Sequence, residues 1–146
     1  MTTLILPVAG KSSRFKGLRP KWLLTMPDGK LLIEKSIRDI SLDKVNKIVI
    51  ICLKEHLDQY ISKDDLIKLF LDLKLSVEIV VLNKQTSSVA ETVAKGIMKA
   101  NISGPIFIKD CDNIFTLKYK GNNSVAVIDL NNIDFIDAKN KSYVEV

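Results

Sequence analysis

Asp110 and Asp112 flank Cys111 at the end of the apolar run Pro105–Lys109. Two carboxylates two residues apart at a strand end can both lie near one hard cation. Mg²⁺ takes such oxygen ligands, typically one or two carboxylates completed by substrate phosphates. Near the N-terminus, Ala9-Gly10-Lys11-Ser12-Ser13-Arg14-Phe15 follows another apolar run and leads to Arg19-Pro20-Lys21. Gly10 permits a sharp turn and close approach of backbone to a ligand. Successive N–H groups with the Ser12 and Ser13 hydroxyls make an anion nest. Arg14 offers a planar fork to phosphate oxygens, and Lys11 and Lys21 supply point charges. The combination has the chemistry of a polyphosphate held beside a divalent cation. Taken alone, the loop reads equally well as a basic surface loop, and the aspartates as a solvated turn.

Other chemistries fit less well. A Walker loop needs a glycine five residues before Gly10, where Ile5 stands. A dinucleotide fingerprint starting at Gly10 needs glycines at positions that hold Ser12 and Phe15. His56 is the only histidine, with no second ligand or nucleophile nearby, and reads as a surface residue at a helix start. Trp22 beside Lys21 reads as packing or as lining for the pocket, and Cys111 as a small buried spacer with no histidine to activate it. Cys52 and Cys111 lack C-x-x-C spacing, which suits free thiols in a reducing cytoplasm.

The elements that must position these residues alternate. Thr3–Val8, Ile48–Leu53, Val77–Leu82 and Pro105–Lys109 are short β-capable runs, and Val125–Leu130 reads as a fifth strand. Between them, Leu31–Ile40, Asp64–Leu73 and Val89–Ala100 carry apolar residues at helical spacing. Asp64 and Asp65 suit the positive end of the second helix. Met26-Pro27-Asp28-Gly29 reads as a turn. Strands alternating with helices imply right-handed crossovers and a three-layer, Rossmann-like α/β fold around a mainly parallel sheet. Ligands of open sheets bind at the carboxyl ends of strands, which puts the Gly10 loop, Gln85–Ser88 and Asp110–Asn113 on one rim.

Composition narrows the classes. The 146 residues suit one domain, 1–146, and are 47% hydrophobic and 27% charged, as expected of a globular chain. The apolar runs are strand-sized and too short to span a membrane, and the N-terminus lacks the features of a signal peptide. The net charge of +5 is spread along the chain, whereas a nucleic-acid binder gathers its basic residues on one face. Neither a membrane nor nucleic acid is expected as a partner.

Leu6-Pro7-Val8-Ala9-Gly10-Lys11-Ser12-Ser13-Arg14-Phe15, followed by Pro20-Lys21-Trp22-Leu23-Leu24, resembles the opening of the sugar-phosphate nucleotidyltransferase family. That family reads approximately A-A-G-x-G-S-R-F and then P-K-x-L. Thr86-Ser87-Ser88-Val89-Ala90-Glu91-Thr92-Val93 looks like its block T-x-G-x-A-E-x-V, and Phe107–Asn113 is similar to its metal-binding strand end. Order and spacing agree from Leu4 to about Asn113.

The resemblance implies a nucleotide-diphospho-sugar transferase type of fold and a set of roles. Ala9, Gly10, Lys11, Ser12 and Ser13 would wrap the nucleotide phosphates, and Arg14 would hold the β- and γ-phosphates. Lys21 would contact the reacting phosphates. Thr86 and Ser88 would border the base through backbone groups. Asp112 would bind Mg²⁺, with Asp110 a less constant companion. The implied reaction is Mg²⁺-dependent transfer of a nucleoside monophosphate from a nucleoside triphosphate to a sugar phosphate or similar phosphorylated acceptor. Polysaccharide biosynthesis in the cytoplasm is the setting this implies. Two departures stand out. Ser12 and Ser88 occupy positions where the family usually has glycine. Family members also run on well past Val146, with a second acidic metal ligand and much of the acceptor pocket there. The chain therefore reads as incomplete at its C-terminus, as a homo-oligomer or as one part of a protein completed by a separate segment. A glycosyltransferase of the same general fold and a non-catalytic nucleotide-binding or partner-binding half-domain are the alternatives.

Overall fold

The computed structural model describes residues 1–10, 17–118 and 123–127. Among the described residues six strands are formed: β1 (Thr2–Pro7), β2 (Ile40–Ser41), β3 (Val45–Leu53), β4 (Ser76–Leu82), β5 (Ile106–Ile108) and β6 (Leu117–Lys118). Four α-helices accompany them among these residues: α1 (Leu32–Arg38), α2 (Lys54–Gln59), α3 (Lys63–Lys68) and α4 (Val89–Lys99). The main sheet runs β4-β3-β1-β5 with every pairing parallel, and β2 pairs with β6 in a separate two-stranded ladder.

β1 lies inside the sheet, with Leu4 opposite Ile48 on one side and Phe107 on the other. Such a strand has no solvent-facing side, which is why Leu4, Ile5 and Leu6 form an unbroken apolar run and are fully buried. Alternation splits the run between two cores. Leu4, Leu6, Ile48, Ile50 and Cys52 pack with Trp22, Leu23, Ile33, Ile37, Leu66 and Phe70. Ile5, Val49, Ile51 and Leu53 face the other way, toward Ala9, Val80, Leu82 and Val93 of α4. The mainly parallel three-layer sheet is therefore present. α4 comes so close to it that a Cβ on Gly96 would lie 2.0 Å from Cδ1 of Ile51.

Several sequence expectations need correction. The helix expected over Asp64–Leu73 is α3 followed by a separate 3₁₀ turn, Leu71–Leu73, which ends at Lys74 in the left-handed region (φ 54°). Phe70, buried against the sheet side of α1, fixes that break. The first helix stops at Arg38, because Ile40 leaves it to pair with Leu117. The fifth strand expected over Val125–Leu130 does not form over 125–127, where Val125 and Val127 are exposed; 128–130 lie outside the described residues. The expected turn is present: the Met26 carbonyl accepts from Gly29 N–H at 2.9 Å, and Gly29 takes φ 80°, a conformation glycine adopts without a Cβ penalty.

Candidate functional site

β1 delivers its chain end onto one rim of the sheet. The Val8 N–H donates to the Ile51 carbonyl at 2.8 Å, extending the ladder beyond Pro7. On the other side the Lys109 N–H donates to the Ile5 carbonyl at 3.0 Å, so the chain leaves β5 beside β1. Gly10 and the Asp110–Asp112 turn consequently emerge next to each other.

The segment between them comes from a 3₁₀ turn, Lys21–Leu23, entered through Pro20. Leu23 N–H donates to the Pro20 carbonyl and Leu24 N–H to that of Lys21, while Trp22 and Leu23 are buried beneath. Burying two large side chains fixes the turn by a few kcal/mol, roughly 1.5–3 each. Lys21 is left to face the rim. Its Nζ lies 3.3 Å from Oδ2 of Asp112, a contact between residues that are far apart in sequence.

Pro7, Val8, Gly10, Lys21, Trp22, Val89, Asp110, Cys111 and Asp112 line one open cleft of about 230 Å³. It sits at the carboxyl ends of β1 and β5, where open parallel sheets take ligands. Gly10 does not take a left-handed backbone conformation, so its value is not a left-handed turn; among the described residues a Cβ there would meet nothing within 4 Å. Asp110 and Asp112 give the cleft two hard oxygen donors, the set that Mg²⁺ shares with phosphates. Among the described residues no group of three or more His, Cys, Asp or Glu is placed to hold a metal ion.

The electrostatics follow from placement. Partial desolvation, then repulsion by Asp112, push the Asp110 carboxyl above its ordinary range, with Lys109 pulling the other way. Burial pushes the Cys111 thiol up to about 12, against a hydrogen bond with Ser36, so it stays protonated and cannot serve as a thiolate nucleophile. Cys111 is the buried spacer between the two aspartates.

Two solved structures share this architecture. A nucleoside-diphosphate-sugar pyrophosphorylase from Vibrio cholerae RC9 matches with a TM-score of 0.58 at 21% identity, over 77% of this chain and 50% of that one. An inositol-1-phosphate CTP transferase from T. maritima matches with 0.57 at 19%, over 78% and 44% respectively. The chain shares the α/β fold of these two proteins. It spans about half the length of these two proteins. No family model and no curated protein matches the sequence.

Within this fold the sequence-derived candidates divide. Gly10, Lys21, Asp110 and Asp112 meet in the cleft. Ala9 does not offer it a side chain, since its methyl group packs in the core with Val93 and Val49. Lys11, Ser12, Ser13 and Arg14 lie outside the described residues. Ser88 caps α4: its Oγ accepts from Glu91 N–H at 3.1 Å, and the helix begins with Val89, which lines the cleft. Its backbone is extended (φ −154°, ψ 164°), so a serine needs no glycine conformation here. The Thr86 hydroxyl lies 3.0 Å from the Ser88 carbonyl, to which it donates, and 2.5 Å from the Thr92 hydroxyl. Both side chains therefore fold the loop. The Glu91 carboxylate completes it, accepting from Ser87 N–H and Oγ; its bond to Lys95, then those from Ser87, hold its carboxyl down at about 2.

His56 is the plain correction. It opens no surface patch but is 4% exposed, and its Nδ1 accepts from the Trp22 indole N–H at 3.4 Å. The rings are tilted, with centroids 5.9 Å apart. Its partner comes from a distant segment, so no local pattern in Lys54-Glu55-His56-Leu57 signals the burial. Among the described residues no helix is long and apolar enough to cross a membrane.

Proposed function

We propose that this chain carries the nucleotide site of a nucleotidyltransferase, one that moves a nucleoside monophosphate from a triphosphate to a sugar phosphate or similar acceptor. One observation carries the reading: Gly10, Lys21 and the Asp110/Asp112 pair line one cleft at the carboxyl ends of β1 and β5. The names of the two structural neighbours support the reading: one is a nucleoside-diphosphate-sugar pyrophosphorylase and the other an inositol-1-phosphate CTP transferase.

In the proposed reaction an acceptor phosphate oxygen attacks the α-phosphorus of the triphosphate. A new P–O bond forms as the bond to the bridging oxygen of the β-phosphate breaks, and pyrophosphate leaves with that electron pair. Such transfer relies on positioning and charge neutralisation more than on proton exchange. Gly10 lets phosphate oxygens approach the backbone. Lys21 supplies positive charge where the two substrates meet, and Arg14, close to Gly10 in sequence, would grip the triphosphate tail. Asp112, with Asp110 beside it, would hold Mg²⁺, which when bound neutralises phosphate charge. Thr86–Ser88 would border the base through backbone groups. The setting is the cytoplasm.

Pyrophosphate release, screened over the common triphosphates with sugar 1-phosphates, tests the proposal. Release that needs both substrates and Mg²⁺ supports it. Triphosphate binding without any acceptor-dependent release would favour a nucleotide-binding module instead.

A further inference from the structure

Lys109 is buried to 3% exposure at the end of β5, yet it makes no salt bridge among the described residues. Its Nζ instead donates to the carbonyls of Asp110 and Asn113, the latter at 2.9 Å, and to the Asn113 side-chain oxygen. It also lies 4.7 Å from the centre of the Phe115 ring. An ammonium has three N–H donors, and here three oxygens of the following turn take them. The backbone of the same residue is tied to β1 through the Ile5 carbonyl. The turn is thus built around a cation whose stem is fixed in the sheet.

We propose that Lys109 is a positioning residue, folding the 110–113 turn around its ammonium so that Asp110 and Asp112 present their carboxylates to the cleft. Two carboxylates two residues apart repel each other, and an exposed turn carrying them has many conformations. Drawing the Asp110 and Asn113 carbonyls inward removes that freedom and leaves the carboxylates as the outward groups. Asp112 then meets Lys21 from across the cleft. Asn113 acquires a role as well, because it supplies two of the three acceptors.

The consequence for cation binding rests on the proposed function; the folding of the turn does not. The test uses Lys109→Met, which keeps the length and removes the donors. Amide hydrogen exchange in the 110–113 turn should rise at least tenfold, while β1 and β3 stay protected. Triphosphate affinity in Mn²⁺ should fall about tenfold, and affinity in a chelator should change less than twofold. A loss equal in both conditions would mark a merely structural lysine and overturn the proposal, as would unchanged exchange in the turn. If Lys109→Met unfolds, Asn113→Ala serves: it removes one side-chain acceptor and should loosen the same turn to a smaller degree. Unchanged exchange at Asp110–Asp112 in that variant would overturn the proposal. Wild-type protein that binds no triphosphate in Mn²⁺ would count against the nucleotidyltransferase reading, with the exchange experiment still deciding the clamp.

Discussion

The ammonium of Lys21 and the carboxylate of Asp112 stand 3.3 Å apart across the cleft, brought together from a buried 3₁₀ turn and from the end of β5. Their side chains are 37% and 56% exposed, and a pair so open to water contributes about 0–1 kcal/mol to stability. The arrangement costs the fold little to lose. Lys21→Ala should therefore leave the melting temperature nearly unchanged. Under the proposed function it should lower kcat tenfold or more while the KM for triphosphate moves less than about threefold, because stabilisation specific to the transition state appears in kcat. Steady-state kinetics with calorimetric melting check both halves. Equal losses in kcat and melting temperature would mean that the pair is structural.

Ser88 stands where the resembling family usually has glycine, and its role as N-cap gives the substitution a physical reason. Ser88→Ala should destabilise the protein by about 1 kcal/mol, whereas Ser88→Gly should cost only a few tenths. Urea unfolding at constant slope measures the difference. A larger cost for glycine than for alanine would contradict the capping assignment.

His56 supplies a pH dependence. Burial depresses its pKa, with Glu55 opposing, so the folded protein prefers the neutral ring. The neutral form also suits the Trp22 contact, since a proton on Nδ1 would face the indole N–H donor. Because the folded pKa lies below the unfolded value of about 6.5, the unfolded chain binds the extra proton first. The His56 contribution is therefore complete above that value and is lost as pH falls through the depressed folded pKa. His56→Gln should flatten this part of the stability profile. An unchanged slope of unfolding free energy against pH between the two proteins would show that other groups carry it.

Gly96 sets how closely α4 packs on the sheet. Alanine is the better helix former, by roughly 1 kcal/mol, but its methyl group would collide with the fully buried Ile51. The collision should dominate, and Gly96→Ala should lose on the order of 1–3 kcal/mol, in the range of overpacked cores. Adding Ile51→Val, which removes Cδ1, should recover part of the loss. A double-mutant cycle in denaturant reads the coupling, and strictly additive effects would refute the contact.

These contacts mark where the sequence was legible. The runs Thr3–Val8 and Ile48–Leu53 announce buried strands because a strand covered on both faces has no polar alternation to obscure it. Their loops could be placed on one rim because parallel crossovers leave little choice. The nearness of Gly10 to the aspartates follows from that topology, whereas the ion pair of Lys21 with Asp112 depends on how the 3₁₀ turn at Lys21–Leu23 is seated. By contrast, the burial of His56 depends on Trp22, and the break after Lys68 depends on where Phe70 packs. The two-residue ladder of Ile40–Ser41 with Leu117–Lys118 depends on a partner far along the chain. Lys109 escaped notice for a related reason: a lysine after an apolar run reads as solvent-exposed, and only the returning turn supplies its acceptors.

Trp22 is the only tryptophan in the chain and lines the same cleft as Gly10, Asp110 and Asp112. Its fluorescence therefore reports directly on occupation of the proposed nucleotide site. Titration with nucleoside triphosphates in Mg²⁺ should give a saturable change with at least one base. Asp112→Asn should weaken that binding ten- to hundredfold, a loss of about 1.4–2.7 kcal/mol, and Asp110→Asn should weaken it less. A wild-type signal that no triphosphate alters, or one that Asp112→Asn leaves unchanged, would contradict the assignment of this cleft.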